Sequence, residues 1–270
     1  MSKIARLREA LLTLLEDHRR DDALPTSGRF LFYELVARGV ISKQPTGERR
    51  ADQDMTEALT QLRENGDIPW EWITDETRSL ESYRGSPTIS EGVVDRLPYI
   101  KLDPWHGDVP LILTESRSLA GCLRPVAIRY CVQIAPTNGQ CGGFLHTDIV
   151  PILQPEQRVL YLGDLDLCGN DIENNTRRVL ERESDETLQW ERLALTEEQV
   201  EQHNLPRITK TDRRFKGGAG THEAVETEAL SQRLILDIVT ERLEELLPEP
   251  LEHVHERAEE QREEIRQKLR

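Results

Sequence analysis

The chain has 270 residues, 37% of them hydrophobic and 31% charged, which is typical of a soluble globular protein with one large or two small domains. The formal net charge of −15 argues against simple coating of nucleic acid, because phosphate neutralisation needs clustered Lys and Arg. No apolar run reaches membrane-spanning length and no signal-peptide segment is recognisable, so we expect a cytoplasmic protein with no membrane partner.

The first part of the chain, residues 1–80, is predicted to be a small domain dominated by helices. Apolar residues recur at helical spacing in three segments, residues 2–20, 28–38 and 52–64. Residues 68–73 follow as a short predicted strand. Three short helices and one β-element favour a winged helix, a common DNA-binding domain.

The second part of the chain changes pattern. Residues 81–108 lose periodicity and gain Gly, Pro and Ser, which predicts a linker with some local structure around residues 99–105. Residues 109–247 alternate short apolar strands with helices, as an α/β domain with a mostly parallel sheet does, and end in an amphipathic helix over 226–247. Residues 248–270 form a charged helix, which we expect to be solvated, marginal or a partner-binding arm. The fold class is therefore α/β plus α+β.

Two aspartates follow one apolar strand of this second part at once. Asp164 and Asp166 are spaced by two residues, so their side chains leave the chain on the same side. At the carboxyl end of a parallel strand they would project into the crevice where open α/β sheets bind ligands. Two like charges held so close favour a cation between them, and oxygen ligands suit Mg²⁺. The alternative is a strand-to-helix turn in which one Asp caps the helix.

Glu115 ends the first strand of the α/β part. In a parallel sheet the carboxyl ends of the strands share one edge, so Glu115 would join Asp164 and Asp166. Three such carboxylates meet the requirement for one or two magnesium ions that polarise a phosphodiester and stabilise its leaving oxygen. The alternative for Glu115 is an exposed acid that caps the next helix.

This Glu and Asp-x-Asp arrangement resembles the Toprim domain of topoisomerases, primases and some nucleases. The preceding domain carries Arg29-Phe30-Leu31-Phe32-Tyr33, and an Arg followed by paired aromatics before a Toprim domain looks like the A subunit of topoisomerase VI and the related meiotic break-forming protein. The resemblance implies that Tyr33 is the nucleophile and that Arg29 holds the phosphate. The alternative is that Tyr33 is a core aromatic of a small helical domain.

Later segments resemble the same family, and some positions depart from it. Lys210 and Arg213 lie in a polar segment that would, by this resemblance, contact DNA beside Arg29. The alternative for Lys210 is a solvated lysine in a polar loop. Glu226 or Glu228 would supply a further carboxylate; the equal alternative is that both belong to the solvated start of the last helix.

Four features depart from the pattern. Ser116 follows Glu115 where many relatives have Lys, and Asn138 stands where relatives often have Arg. Leu167-Cys168 replaces the Pro-Tyr that is common in the topoisomerase subunits, and the chain is shorter than those subunits.

The resemblance implies a magnesium-dependent DNA-cleaving enzyme that leaves a phosphotyrosyl link on the 5′ end. Glu115, Asp164 and Asp166 would hold the metal. By resemblance we expect a homodimer, and strand passage would need a separate ATPase subunit. One alternative is a hydrolytic Toprim nuclease in which Tyr33 is structural. Another is a non-catalytic DNA-binding module.

Overall fold

Four parallel strands with helices packed around them form the centre of a mixed α/β fold. The computed structural model describes residues 3–42, 51–74, 88–139, 142–184, 187–212 and 220–269. Within these residues, none of the helices combines the length and hydropathy that a bilayer span requires.

Three helices form the first unit: α1 (Lys3–Arg20), α2 (Gly28–Ala37) and α3 (Ala51–Glu64). Each places an apolar stripe in one shared core, and Ser27 caps α2 by accepting a hydrogen bond from the Phe30 backbone N–H. The prediction of a strand at residues 68–73 is wrong. A 3-10 turn (Trp70–Trp72) follows Pro69, and only Ile73 pairs, in an isolated parallel bridge to Thr26.

The segment expected to be an aperiodic linker contains a helix, α4 (Ile89–Arg96), followed by a 3-10 turn (Leu97–Tyr99). Thr88 caps α4 by accepting from the Glu91 backbone N–H, which compensates for a weak apolar stripe. Tertiary packing reaches this segment at Leu97 and Trp105, which are both buried. Sequence periodicity alone therefore underestimated its order.

The sheet contains β1 (Leu111–Thr114), β2 (Gln133–Pro136), β3 (Arg158–Leu162) and β4 (Gln189–Ala194), in the order β2-β1-β3-β4 and all parallel. Helix α5 (Arg117–Tyr130) connects β1 to β2, and α6 (Leu167–Ser184) connects β3 to β4. The two central strands are almost wholly buried, because apolar clusters cover both faces of the sheet. Thr114 is in register with Leu162, so β1 and β3 end side by side.

After the sheet come α7 (Glu197–Gln202), a hairpin of β5 (Ile208–Asp212) with β6 (Gly220–Ala224), and helix α8 (Gln232–Leu246). The polar segment that begins at Lys210 is therefore a strand rather than a loop at its start. The last amphipathic helix was expected from residue 226, but it begins only at Gln232. Ser231 caps it by accepting from the Leu234 backbone N–H, which leaves the preceding residues outside the helix.

The final helix, α9 (Leu251–Leu269), is docked rather than fully solvated. Leu251, Val254 and Ala258 recur along one side of it and are buried. Farther along, the Arg262 guanidinium donates to the Ile100 carbonyl oxygen at 2.8 Å. The charged composition of the tail hid this narrow apolar stripe.

Candidate functional site

The adjacent ends of β1 and β3 bring Glu115 and Asp164 together. The Glu115 backbone N–H donates to the Leu162 carbonyl oxygen at 2.8 Å, which continues the sheet by one residue. The Asp164 backbone N–H then donates to Glu115 Oε2 at 2.9 Å. Glu115 and Asp164 therefore lie together, as expected for residues at the carboxyl ends of adjacent parallel strands.

Asp164 and Asp166 are both buried, and backbone donors orient each of them. Asp164 Oδ1 accepts from the Thr227 backbone N–H at 2.9 Å and from its hydroxyl at 3.2 Å. Asp166 Oδ1 accepts from the Gly169 backbone N–H at 2.7 Å, in the first turn of α6. Asp166 thus caps a helix with one oxygen and keeps its other oxygen for the site.

Gly169 has a steric reason to be glycine. A Cβ atom at this position would lie 2.4 Å from the Asp164 carbonyl oxygen and 3.2 Å from Glu115 Oε2. The closest obstacle is backbone, which no side-chain rotation can relieve. Glycine at the end of the Asp-x-Asp-x-x-Gly spacing therefore lets the first turn of α6 pack directly against the Asp164 backbone and the Glu115 carboxylate.

A chain segment that is distant in sequence adds two further carboxylates. Leu165 and Val225 exchange backbone hydrogen bonds of 2.9 and 3.1 Å in an antiparallel bridge, which holds the residues after Val225 against the aspartates. Glu226 and Glu228 belong to this segment. They are not the solvated start of a helix, because both precede α8 and Glu228 is only 1% exposed.

Glu228 is held at the N-terminus of α5. Its Oε1 accepts from the Ser116 hydroxyl at 2.8 Å and from the Ser118 hydroxyl at 3.0 Å. Its Oε2 is fully buried and has no hydrogen-bond partner in the described part of the chain. A buried carboxylate oxygen without a donor is unfavourable, which makes it a free acceptor for a cation.

Two cationic side chains contact this carboxylate cluster, which we define as Glu115, Asp164, Asp166, Glu226 and Glu228. Lys210 Nζ lies 2.6 Å from Asp166 Oδ2, 3.8 Å from Asp164 Oδ2 and 3.7 Å from Glu226 Oε1. Arg29 Nε lies 3.1 Å from Glu228 Oε1, and its Nη2 lies 3.3 Å from Glu226 Oε2. With all seven groups ionised, the cluster and these two cations carry a formal charge of −3.

Burial, neighbouring charges and hydrogen bonds shift the pKa values of Glu115 and Asp166 in opposite directions. Burial, together with the neighbouring Asp164 and Asp166, raises the pKa of Glu115 to about 7. Burial would also raise the pKa of Asp166, but the Lys210 ammonium and the Gly169 backbone N–H hold it below its usual value. Protons are thus shared unevenly within the cluster, as at sites that bind cations or perform acid–base chemistry.

A cleft of about 160 Å³ opens on the cluster. Arg29, Glu115, Asp164 and Glu228 line it together with Asn138. Asn138 has a φ of 49° in the turn after β2, and its backbone N–H donates to the Glu115 carbonyl oxygen at 2.9 Å. The position that departs from the family pattern therefore shapes the rim of the site.

Among the other predicted site residues, Tyr33 is half-buried on α2, with its ring edge-on to Phe32 at a centroid distance of 5.6 Å. It is not among the described residues that line the cleft, although Arg29, one turn earlier on the same helix, is. Arg213 lies outside the described residues. Over the residues that are described, no three Asp, Glu, His or Cys side chains stand in an arrangement ready to hold a metal ion.

His222 is a candidate residue that the sequence did not suggest. It pairs directly opposite Lys210 in the hairpin, so both side chains leave the same face of the ribbon. Both of its ring nitrogens are buried and have no hydrogen-bond partner in the described chain. Only the register of β5 against β6, which the sequence alone did not reveal, places it beside the site.

Comparisons of the chain with protein-family models, with curated proteins and with solved structures return no match.

Proposed function

We propose that this protein is a magnesium-dependent DNA-cleaving enzyme of the topoisomerase VI A-like class, with a winged-helix domain before a Toprim domain. The observation that supports it most is the cluster itself. Glu115 and Asp164 meet at adjacent strand ends, and Asp166 follows two residues later. This is the pattern that the resemblance requires, on a sheet of the expected parallel type.

The donor set fits a hard divalent cation. It consists of carboxylate oxygens, which Mg²⁺ prefers, and the surplus negative charge favours a further cation. Glu228 Oε2 is an unpartnered buried acceptor at the same cleft. Glu115, Asp164 and Asp166 would hold the ion, which when bound would polarise the phosphodiester and stabilise the leaving oxygen.

Tyr33 is the proposed nucleophile. Its phenolic oxygen would form the bond to phosphorus while the bond from phosphorus to the 3′ oxygen breaks, and the phenolic proton would end on the released 3′-hydroxyl. Arg29 would stabilise the transferring phosphate. Its ion pairs to Glu226 and Glu228 hold it at the cleft, and its side chain remains 41% exposed, so a phosphate can reach it.

The test is a search for a covalent protein–DNA adduct after denaturation in the presence of Mg²⁺. Wild type should form the adduct on the 5′ end, and Tyr33→Phe should not. Tyr99→Phe is the matched control, because Tyr99 is 81% exposed and far from the cluster in sequence. Asp166→Asn should abolish cleavage by either nucleophile.

A second candidate is a hydrolytic nuclease of the same fold, in which water attacks and Tyr33 is structural. Tyr33 is absent from the described residues that line the cleft of its own chain, which this candidate explains without a second protomer, whereas the tyrosine mechanism then needs Tyr33 from a partner. Equal amounts of free product ends from wild type and Tyr33→Phe would establish it and exclude the tyrosine mechanism. DNA binding without any cleavage, unchanged in Asp164→Ala, would instead point to a non-catalytic module.

The homodimer belongs to the same proposal, because in the resembling family the tyrosine of one protomer meets the metal site of the other. Mixing Tyr33→Phe with Asp166→Asn protein tests it. If each site combines Tyr33 of one protomer with the carboxylates of the other, a mixed dimer has one site with both substitutions and one site with neither. Partial cleavage therefore returns only if the sites form between protomers. A separate ATPase subunit would be needed for strand passage but not for cleavage.

A further inference from the structure

The side chain of Lys210 occupies the interior of the carboxylate cluster. Its ammonium lies at hydrogen-bond distance, 2.6 Å, from Asp166 Oδ2 and within 3.8 Å of one oxygen on each of Asp164 and Glu226. One cation therefore faces three carboxylates at once. That is the position that a metal ion would need in order to share the same oxygens.

We propose that Lys210 is the resident cation of the cluster, and that a divalent metal ion binds by displacing its ammonium group. The inference rests on the proposed function, because it takes the cluster as the site of Mg²⁺. Magnesium needs oxygen ligands at 2.0–2.1 Å in near-octahedral geometry. The ammonium uses the same lone pairs of Asp166, and two cations a few ångströms apart repel each other, so the two occupants exclude one another.

The charges favour the exchange. Removing one positive charge and adding two changes the formal charge of the cluster from −3 to −2. The buried Glu228 Oε2, which no donor satisfies, shows that the two protein cations do not saturate the available acceptors. A compact divalent ion neutralises more of the cluster's surplus negative charge than a single ammonium group does.

The position of Lys210 in the fold also permits it to leave. The residue lies on β5, in a two-stranded hairpin that pairs with no other described strand, and its side chain is about one-third exposed. Four rotatable bonds let the ammonium swing outward without a backbone movement. Arg29, in contrast, is held between Glu226 and the fully buried Glu228. Lys210, and not Arg29, is therefore the cation whose departure frees oxygens of the proposed metal ligands Asp164 and Asp166.

The experiment is a calorimetric titration of Mg²⁺ into the full chain without DNA, at constant ionic strength. Lys210→Met should bind Mg²⁺ roughly tenfold more tightly than wild type, because a hydrogen bond between charged groups no longer has to be broken. Two variants serve as controls. Lys268→Met removes the same charge near the end of α9. Arg207→Met removes a charge near the hairpin, from a side chain that contacts Glu197 and Glu223 and not the carboxylate cluster. Both controls should match wild type.

Two further measurements keep the test decisive. Lys210→Arg retains a competing cation and should bind Mg²⁺ no more tightly than wild type. Without metal, Lys210→Met should melt at a lower temperature than wild type, and Mg²⁺ should raise its melting temperature by more. If the Met variant does not fold, Lys210→Gln repeats the titration with a neutral polar side chain.

The outcomes separate this inference from the proposed function. Equal or weaker Mg²⁺ binding by Lys210→Met, with Mg²⁺-dependent cleavage intact in wild type, overturns the exchange and leaves the function standing. Tighter binding by Arg207→Met to the same extent would reduce the effect to long-range charge and also overturn it. Absence of Mg²⁺ binding in every variant would refute both.

Discussion

Replacing Gly169 with Ala tests the geometry of the site at a single atom. The added Cβ would lie 2.4 Å from the Asp164 carbonyl oxygen and 3.1 Å from its carbon, so the start of α6 or the Asp164 peptide must move. Forcing an extra methyl group into a packed position destabilises by roughly 1–3 kcal/mol. Alanine also favours a helix over glycine by about 0.5–1 kcal/mol, which opposes the clash. We therefore expect a net loss of about 1 kcal/mol in the free energy of unfolding, within a range of about 0–2.5 kcal/mol.

Circular dichroism measures the effect as a shift in melting temperature, with about 2–4 °C expected for each kcal/mol in a chain of this size. Gly143→Ala is the matched control, because a Cβ there meets nothing within 4 Å, so the variant should be as stable as wild type or slightly more. The added Cβ would also lie 3.2 Å from Glu115 Oε2, the oxygen that accepts from the Asp164 backbone N–H, so under the proposed function Gly169→Ala should bind Mg²⁺ more weakly. A Gly169→Ala protein that is as stable as wild type and binds Mg²⁺ equally well would refute the steric argument.

Three further predictions concern the surrounding fold. Ser27→Ala removes the cap of α2 and should lower the free energy of unfolding by about 1 kcal/mol in urea titrations; an unchanged midpoint would contradict the capping role. Burial and a 2.6 Å hydrogen bond to Glu244 raise the pKa of Tyr130 to about 12, above the ordinary value near 10. The protonated Tyr130 hydroxyl therefore contributes its full stabilisation below pH 10, and this contribution is lost as the pH rises to 12. Tyr130→Phe should be less stable than wild type at pH 8, but its free energy of unfolding should fall less between pH 10 and pH 12. Val254→Asp places a charge in the docked face of α9 and should expose the helix to limited proteolysis, whereas the exposed-site control His255→Asp should not; equal cleavage of both would contradict docking.

The sequence predicted the features that depend on local pattern. Apolar runs located β1 and β3, and the rule that parallel strands share one edge placed Glu115 beside Asp164. The two interpretations of Asp166, as a metal ligand and as a helix cap, compete only if one oxygen must serve both roles. The structure gives one oxygen to the cap and leaves the other facing Lys210.

The features that the sequence left open or missed depend on contacts between distant segments. The sequence offered two equal alternatives for Glu226 and Glu228, a further carboxylate or the solvated first turn of an amphipathic helix, because negative residues are favourable in a first turn. The bridge between Leu165 and Val225 instead fixes their segment beside the aspartates, and no local pattern encodes that pairing. His222 was missed for the same reason, since only strand register places it opposite Lys210.

In the proposed function, the charge of the whole chain and the charge of the cluster both favour binding of the metal ion before binding of DNA. Under the proposed function, the net charge of −15 and a cluster of formal charge −3 would repel the phosphate of a DNA substrate from the site. Lys210, the side chain that the family resemblance assigns to phosphate, is engaged by Asp166 and is not available to attract one. A divalent cation that displaced Lys210 would correct both problems, because it lowers the negative charge of the cluster and releases an ammonium group at its edge. In this proposal the metal ion therefore prepares the site to receive DNA in addition to its part in the cleavage chemistry.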